Sequence, residues 1–304
     1  MNLITITNLV KGAKHIYRSG GILTLFYRVI GYGWKEFAWF WIRVQTRGKL
    51  IERTPCGNKM YLSPHDEGIS KELAVYGIHE PLATQLLRQE IKTGMHVIDI
   101  GANIGYYALQ EAHLVGETGK VIAIEPVPDN VTLLRKNVEA NGYRNVHIYP
   151  VAIGTKNGTT KIHISHESNL ASLIPQDRHS TSVDVPVWTL DSLLEQEERV
   201  DYIQMDIEGY EVEVIKGMIG ILRKYRPGMF MEIHTPIVGG ESIIKFLKEL
   251  KGLGYKTKYV IDKAFNSPLV WKKNAVETIS IDTLMLDKRV ARGQAVLTIF
   301  VEAT

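Results

Sequence analysis

Two pairs of ionisable residues stand at the ends of two hydrophobic segments. Asp206 and Glu208 follow the first segment, and Glu232 and His234 close the second. In an extended chain, residues two apart point the same way, so each pair shares one face. Taken singly, Asp206 could cap a helix and His234 could be a buried, hydrogen-bonded histidine. Together they predict general-base chemistry, with His234 as the base oriented by Glu232 or Asp206, or a site for a divalent cation such as Mg²⁺.

A glycine-bounded turn supplies the second cluster. Residues 95–105 read M-H-V-I-D-I-G-A-N-I-G, which predicts a buried strand, a sharp turn and the start of a helix. The dinucleotide pattern G-x-G-x-x-G fails because Asn103 and Tyr106 stand at its second and third glycine positions. The spacing of Gly101 and Gly105 instead resembles the first motif of class I S-adenosylmethionine (SAM) methyltransferases.

Glu125 ends the next predicted strand, where a carboxylate can accept both hydroxyls of an adenosyl ribose. This feature suits SAM and NAD equally, and Glu125 and Asp99 could also serve as helix caps. We expect Gly101→Val and Glu125→Ala to weaken SAM binding without unfolding the domain. The predicted cofactor-binding residues are Asp99, Gly101, Asn103, Gly105 and Glu125.

Predicted strands and helices alternate from residue 95 to residue 261, which is typical of an α/β doubly wound fold. The last two predicted strands, 256–261 and 296–301, suggest a hairpin-like antiparallel edge. We therefore predict a mostly parallel, seven-stranded sheet with an antiparallel edge strand, preceded by an N-terminal helical segment.

The composition fits one large domain and a small appendage. The chain has 304 residues, 45% of them hydrophobic, and a single cysteine, Cys56, which excludes an intrachain disulfide. No secretory signal is apparent at the N-terminus, so we expect a cytoplasmic protein. The predicted division is residues 1–49, a basic helical segment, and residues 50–304, a catalytic domain.

The chain from about Tyr76 to His234 resembles the FkbM family of SAM-dependent methyltransferases. The resemblance implies a class I methyltransferase fold, SAM as cofactor and O-methylation of a hydroxyl on a sugar, a lipid-linked glycan or another natural product. It places the five residues around the glycine turn at SAM-binding positions and the four ionisable residues in an acidic rim. The matching motifs are G-I-H-E-P (77–81), D-I-G-A-N-I-G-Y-Y-A (99–108), E-P (125–126), T-L-D-S-L-L (189–194), D-I-E-G-Y-E (206–211) and M-E-I-H (231–234).

The positive charge is concentrated at the N-terminus, outside the resemblance. Residues 1–50 hold eight basic residues and one acidic residue, although the whole chain has a net charge of only +3. Residues 22–44 have apolar side chains at helical spacing and three of the five tryptophans. This amphipathic segment either packs on the catalytic domain or a second subunit of a homo-oligomer, or lies on the inner face of a membrane. Charges interrupt it too often for a transmembrane helix.

A polar insertion near residues 166–172 is a candidate acceptor-binding segment, with Asn169 and Ser172 as substrate residues. Three functions remain open at this point. A SAM-dependent O-methyltransferase is favoured; an NAD-dependent oxidoreductase is disfavoured by Asn103 and Tyr106; the third is a non-catalytic membrane- or partner-binding module. We expect no nucleic-acid partner.

Overall fold

The computed structural model describes residues 30–31, 33–164, 181–263, 266–267, 270–271 and 275–304. The chain divides into two compact units, Met1–Gly48 and Lys49–Thr304. In the first unit, the described residues 30–31 and 33–46 are helical and form helix α1, which a short turn follows. None of the described helices is both long and apolar enough to cross a membrane.

The described strands of the second unit fall into one large and three small sheets. In chain order they are β1 (Ile51–Arg53), β2 (Met60–Leu62), β3 (His96–Ile100), β4 (Lys120–Ile124), β5 (Val146–Tyr149), β6 (Ala152–Ile153), β7 (Gly158–Ile164), β8 (Thr181–Trp188), β9 (Tyr202–Met205), β10 (Gly228–His234), β11 (Tyr255–Asp262), β12 (Asn266–Ser267), β13 (Val270–Trp271), β14 (Val276–Glu277) and β15 (Val296–Ala303).

Helices connect most of these strands. They are α2 (Ile69–Tyr76), α3 (Pro81–Glu90), α4 (Tyr106–Val115), α5 (Pro128–Ala140), α6 (Leu190–Leu193), α7 (Glu211–Val214), α8 (Ile219–Tyr225), α9 (Thr235–Val238), α10 (Gly240–Gly252), α11 (Ile281–Leu286) and α12 (Lys288–Ala291).

The large sheet has the strand order β14-β11-β15-β10-β9-β3-β4-β5. Five neighbouring strands, from β10 to β5, run parallel to one another. Strand β15 is antiparallel to both of its neighbours, so β11 runs in the same direction as β10. The architecture is the predicted class I methyltransferase-like α/β fold, with a large, mostly parallel sheet.

The predicted position of the antiparallel strand β15, at the edge of the sheet, is wrong. Strand β15 lies inside the sheet, paired along one side with β10 and along the other with β11. Its residues Leu297 to Val301 are buried, and an inside position satisfies their backbone groups on both sides. The edge is formed by an eighth strand, the two-residue β14, which is antiparallel to β11.

The sequence explains why β3 and β4 lie inside the sheet, each with a neighbouring strand on both sides. Both are short apolar runs that are almost completely buried, as expected for strands covered by helices on both faces. The cofactor turn follows β3, and Glu125 follows β4, so both features reach the same edge of the sheet. A small three-stranded sheet of β6, β8 and β7 stands beside this edge and has its own apolar cluster.

Candidate cofactor and active site

The turn after β3 requires glycine at both of its ends. Gly101 has a φ of +87° and Gly105 a φ of +97°, which other residues rarely adopt. A Cβ atom at Gly101 would lie 2.0 Å from the carbonyl oxygen of Asp206, and one at Gly105 would lie 2.7 Å from Leu134 Cδ1. The turn therefore packs directly against the backbone that follows β9. A side chain at Gly101 would have to displace this backbone, so the geometry does not favour the expectation that Gly101→Val leaves the domain intact, which stays a prediction.

Glu125 is held in place by three donors. One carboxylate oxygen accepts from the backbone N–H of Asn103 at 2.9 Å. The other accepts from the N–H of Val127 at 2.9 Å and from Asn130 Nδ2 at 3.3 Å. Burial raises the pKa of Glu125 to about 7, although these hydrogen bonds act to lower it. The side chain is thus fixed in orientation and titrates near neutral pH.

A cavity of about 560 Å³ opens beside Glu125. Its walls include polar groups from the cofactor turn and apolar side chains from the region of the small sheet, a combination that suits a nucleoside. Among the lining residues are Gly101, Asn103, Glu125, Val151, Ile153, Ile162, Asp206 and Glu208.

Asp99 faces a second, adjoining cavity of about 480 Å³. Both cavities are lined by Gly101, Asn103 and Asp206, so the cofactor turn separates them. Asp99 is fully buried, and neither of its carboxylate oxygens has a hydrogen-bond partner among the described residues. Burial, with the nearby charges of Glu125 and Asp206, raises the pKa of Asp99 well above its usual value. A buried carboxyl without a partner beside such a turn fits a cofactor that supplies polar groups.

The four predicted catalytic residues converge. One candidate ligand atom from each of Asp206, Glu208, Glu232 and His234 lies within 4.8 Å of the others. Their strands β9 and β10 are parallel neighbours, so both carboxyl ends reach the same edge of the sheet. Glu208 has a φ of +51°, a left-handed conformation that is costly for glutamate and concentrates at functional sites. We call these four residues the acidic cluster.

His234 is surrounded by carboxylates. Its Nε2 lies 3.1 Å from Glu208 and 3.2 Å from Glu232, and its Nδ1 lies 2.8 Å from Glu211. Burial lowers the pKa of His234, but hydrogen bonds to the three carboxylates outweigh it and leave the pKa well above the usual value. Both ring nitrogens then carry protons, and an imidazolium does not accept another. This geometry does not favour the general-base role that the sequence suggested for His234, while its participation in the site stays a prediction.

Asp206 has the properties that a proton acceptor needs near neutral pH. Burial raises its pKa to about 7, the Glu232 carboxylate adds to this effect, and the positive charges of Lys263 and His234 oppose it. The Oδ1 atom of Asp206 is buried and has no hydrogen-bond partner among the described residues. An acid that titrates near the working pH is best suited to accept a proton during a reaction.

Three charged residues extend the cluster beyond the predicted set. Lys263, at the carboxyl end of β11, lies 2.6 Å from Glu232 and 3.4 Å from Glu80. Glu80 is buried and accepts a hydrogen bond from Tyr107 at 3.0 Å. The third residue is Glu211, which is fully buried against His234. The carboxylates in this region thus outnumber the cations that face them.

The acidic cluster also has the donor set of a divalent-cation site. Mg²⁺ prefers oxygen ligands and binds an imidazole nitrogen poorly. Mn²⁺ and Zn²⁺ are better suited to a site with carboxylate oxygens and one imidazole nitrogen. Lys263 and the protonated His234 already neutralise part of the same carboxylate charge. A metal ion would therefore have to displace the proton of His234.

The family model for the methyltransferase FkbM domain matches residues 99–257, just over half of the chain. The chain belongs to the FkbM family of methyltransferases. This membership confirms the resemblance seen in the sequence, which was to a family of SAM-dependent methyltransferases. It also favours SAM over the nicotinamide cofactor of the disfavoured alternative.

Curated relatives include further methyltransferases. The protein-L-isoaspartate O-methyltransferase of Methanococcoides burtonii is 44% identical over 59 residues, which cover 19% of this chain and 29% of that protein. This FkbM chain therefore spans less than a third of that relative. The hexuronic acid methyltransferase AglP of Haloferax volcanii is 28% identical over 186 residues, 60% of this chain and 73% of AglP.

Two solved structures resemble the FkbM chain in fold alone. Methyltransferase FkbM from Methylobacillus flagellatus has 15% sequence identity and a TM-score of 0.43, covering 69% of this chain and 44% of that one. Fibrillarin from Aeropyrum pernix, with natively bound SAM, has 15% identity and a TM-score of 0.42, covering 73% and 74%.

The predicted site residues of this FkbM protein lie in different parts of the structure. Gly101, Asn103 and Glu125 line the larger cavity, Asp99 lines the smaller one, and Gly105 shapes the turn between the strand and α4. Their contacts with SAM stay predictions. The predicted substrate residues Asn169 and Ser172 lie outside the described residues.

Lys263 was missed because its strand was read as part of a terminal hairpin. Its position directly after β11 was the available signal, since β11 runs parallel to β10 and ends at the same edge. Glu80 was present in the G-I-H-E-P motif but was given no role. Glu211 was present in the D-I-E-G-Y-E motif but was given no role, and the structure buries it completely.

Proposed function

We propose that this FkbM-family protein transfers a methyl group from SAM to a hydroxyl oxygen of a sugar, with a hexuronic acid as the first acceptor class to test. The proposal is supported by the similarity to AglP, which covers 60% of this chain and 73% of AglP. A lipid-linked glycan or another natural product with a free hydroxyl remains within the same proposal.

One observation carries the reaction type: Asp206 belongs to the acidic cluster and also lines both cavities. A residue in this position can contact both a cofactor bound in the cavity and an acceptor bound at the acidic cluster. Methyl transfer to oxygen needs this proximity, because the acceptor hydroxyl must lose its proton as the new bond forms.

Bound SAM supplies a methyl group on a positively charged sulfur, which needs no further activation. In our proposal, Glu125 accepts hydrogen bonds from the ribose hydroxyls, and Val151, Ile153 and Ile162 pack against the adenine. The glycines of the turn allow the backbone to approach the cofactor closely. Most of the rate enhancement then comes from alignment of the two reactants in one rigid site.

We assign the proton transfer to Asp206. Its ionised carboxylate accepts the proton of the acceptor hydroxyl, helped by a pKa of about 7. His234, as a cation hydrogen-bonded to Glu208, Glu211 and Glu232, is a positioning residue that holds these carboxylates in one arrangement.

The test uses the full-length protein and SAM with a deuterated methyl group. Candidate acceptors are hexuronic acids, neutral hexoses and an isoaspartyl peptide, and the products are analysed by mass spectrometry and NMR. We expect a labelled methyl ether on a sugar, strongly reduced by Asp206→Asn and unaffected by Asp282→Asn, which alters an exposed ion pair with Lys251. A labelled methyl ester on the peptide, with no sugar product, would contradict the proposal.

A divalent cation such as Mg²⁺ is the second cofactor that we consider for the acidic cluster. Its role would be to hold two oxygens of the acceptor near Asp206. Calorimetric titration of the EDTA-treated protein with Mg²⁺ and Mn²⁺ tests binding directly, and activity with and without EDTA tests the requirement. Full activity in EDTA, together with no binding of either ion, would remove the metal from the proposal.

A further inference from the structure

Helix α1 exposes a continuous apolar stripe. Ile30, Trp34, Phe37, Trp41 and Val44 follow one another at spacings of four and three residues, which places them on one face of the helix. Phe40 widens the stripe. All six side chains are between 51% and 62% exposed. They are six of the ten large apolar side chains that are exposed among the described residues, so the patch is a local property of this helix.

The opposite face of α1 is the one that is buried. Trp39 lies half a turn from the centre of the stripe and is only 2% exposed. A helix that packed its main apolar face inward would show the reverse pattern. The larger apolar face, with two tryptophans and two phenylalanines, is therefore left open, and exposed patches of this kind mark interaction surfaces.

The chain around the stripe is basic. Arg47 and Lys49 follow α1 directly and are exposed, whereas Lys35 and Arg43 lie about 140° from the centre of the stripe, on the side of the helix that carries Trp39. Over residues 1–50 the sequence has eight basic residues and one acidic residue. No charged residue falls within the stripe itself. An aromatic apolar strip on a basic segment complements a boundary between hydrocarbon and anionic headgroups.

We propose that α1 binds the surface of an anionic lipid bilayer, with its axis parallel to the membrane plane. The apolar stripe enters the boundary between headgroups and acyl chains, Trp34 and Trp41 lie at headgroup level, and the positive charge of the segment attracts it to the anionic lipids. This inference goes beyond the proposed function, because it requires neither a particular acceptor nor catalysis.

The experiment measures flotation of the full-length protein with vesicles of phosphatidylcholine, with and without phosphatidylglycerol. We expect strong binding to the anionic vesicles at low salt and partial release at higher salt, since charge attraction is screened beyond about 10 Å at 0.1 M salt. The triple variant Trp34→Gln, Phe37→Gln and Trp41→Gln should lose at least about tenfold in vesicle affinity, because it removes aromatic surface that would be buried in the bilayer.

The matched control is the double variant Trp188→Gln and Leu286→Gln. It removes two exposed apolar side chains from the other compact unit, 41% and 83% exposed, and should float like the unaltered protein. Unchanged far-UV circular dichroism and S-adenosylhomocysteine binding would show that both variants are folded.

Two results would overturn the proposal. The first is equal flotation of the triple variant and the unaltered protein. The second is that the unaltered protein does not float with the vesicles. This result counts against the proposal if the protein is a monomer, and equally if it is a dimer that the triple substitution converts to monomers. In the dimeric case a second copy of the chain occupies the stripe, and in the monomeric case the stripe has no lipid partner.

Discussion

Asp206 joins the cofactor region to the acidic cluster, and its raised pKa makes its role testable through pH. If its carboxylate accepts the proton, kcat/KM for the acceptor rises as the pH passes through about 7, because only the ionised form acts as a base. Asp206→Asn should lower kcat by about 10²–10⁴-fold and remove this rise. Steady-state kinetics across the pH range measure both effects.

Asp282→Asn serves as the control for the same chemical change at an exposed position. If kcat/KM of Asp206→Asn still rises with pH and has the same midpoint, a group other than Asp206 is responsible for the titration. Retained SAM affinity in Asp206→Asn would separate a defect in proton transfer from a defect in cofactor binding.

His234 should matter for stability more than for proton transfer. Replacement by Gln removes the positive charge that faces Glu208, Glu211 and Glu232, and breaking such a buried arrangement costs about 3–5 kcal/mol of unfolding free energy. The folded-state pKa of His234 lies well above its unfolded value of 6.5. Its contribution is therefore complete below pH 6.5 and declines as the pH rises further.

Urea denaturation at several pH values measures this contribution as the difference between the unaltered protein and His234→Gln. The difference should be largest in mildly acidic buffer and should shrink on the alkaline side. A difference that grows with increasing pH would show that His234 is neutral in the folded protein.

Glu125 should contribute to cofactor affinity. Glu125→Ala removes a charged acceptor for the ribose hydroxyls, which is worth roughly 1.5–3 kcal/mol, or about a tenfold to hundredfold change in the dissociation constant of SAM. Isothermal titration calorimetry measures this constant, with Glu139→Ala on the exposed face of α5 as the control. Equal SAM affinity in the two variants would take Glu125 out of the cofactor site.

At the scale of elements, Gly101 in the turn between β3 and α4 and Gly142 after α5 offer a matched pair of glycine replacements. Gly101→Ala places a Cβ atom 2.0 Å from the carbonyl oxygen of Asp206, whereas Gly142→Ala has no heavy atom within 4 Å. Both glycines have positive φ, +87° and +69°, so backbone strain is common to the two variants. We expect Gly142→Ala to lose about 1 kcal/mol and Gly101→Ala about 3 kcal/mol or more.

Thermal or urea denaturation of the two variants gives the comparison directly. Equal stabilities would mean that the turn can move away from β9 at little cost in free energy. The close approach of Gly101 to the backbone of Asp206 would then not contribute to stability.

Features that depend on neighbouring residues in the chain were predictable. The strand, glycine turn and helix from residue 95 to residue 115 are a local pattern, and Glu125 follows a strand whose apolar run identifies it. The contact between Lys263 and Glu232 joins residues at the ends of two strands that never touch each other, because β15 lies between them. Its prediction required the strand order, which the local pattern of residues does not contain.

At the scale of the whole molecule, the sequence predicted which residues meet but not their protonation. Asp206, Glu208, Glu232 and His234 were expected at one edge of the sheet because parallel strands end together. The burial of Glu211 beside His234 changes the expected role of the histidine, since a third carboxylate stabilises the imidazolium. Burial of this kind depends on how α7 packs, and the residue type alone does not reveal it.

The internal position of β15 also bears on the order in which the protein can assemble during synthesis. Strands β3 and β4, with the cofactor turn, lie between residues 96 and 124, whereas β15 begins at Val296. Until the ribosome has made β15, β10 has no partner on its outer side and β11 cannot join the sheet. The strand that carries Glu232 and His234 can pair with β9 as soon as it is made, but it gains its second neighbour only when β15 has been synthesised.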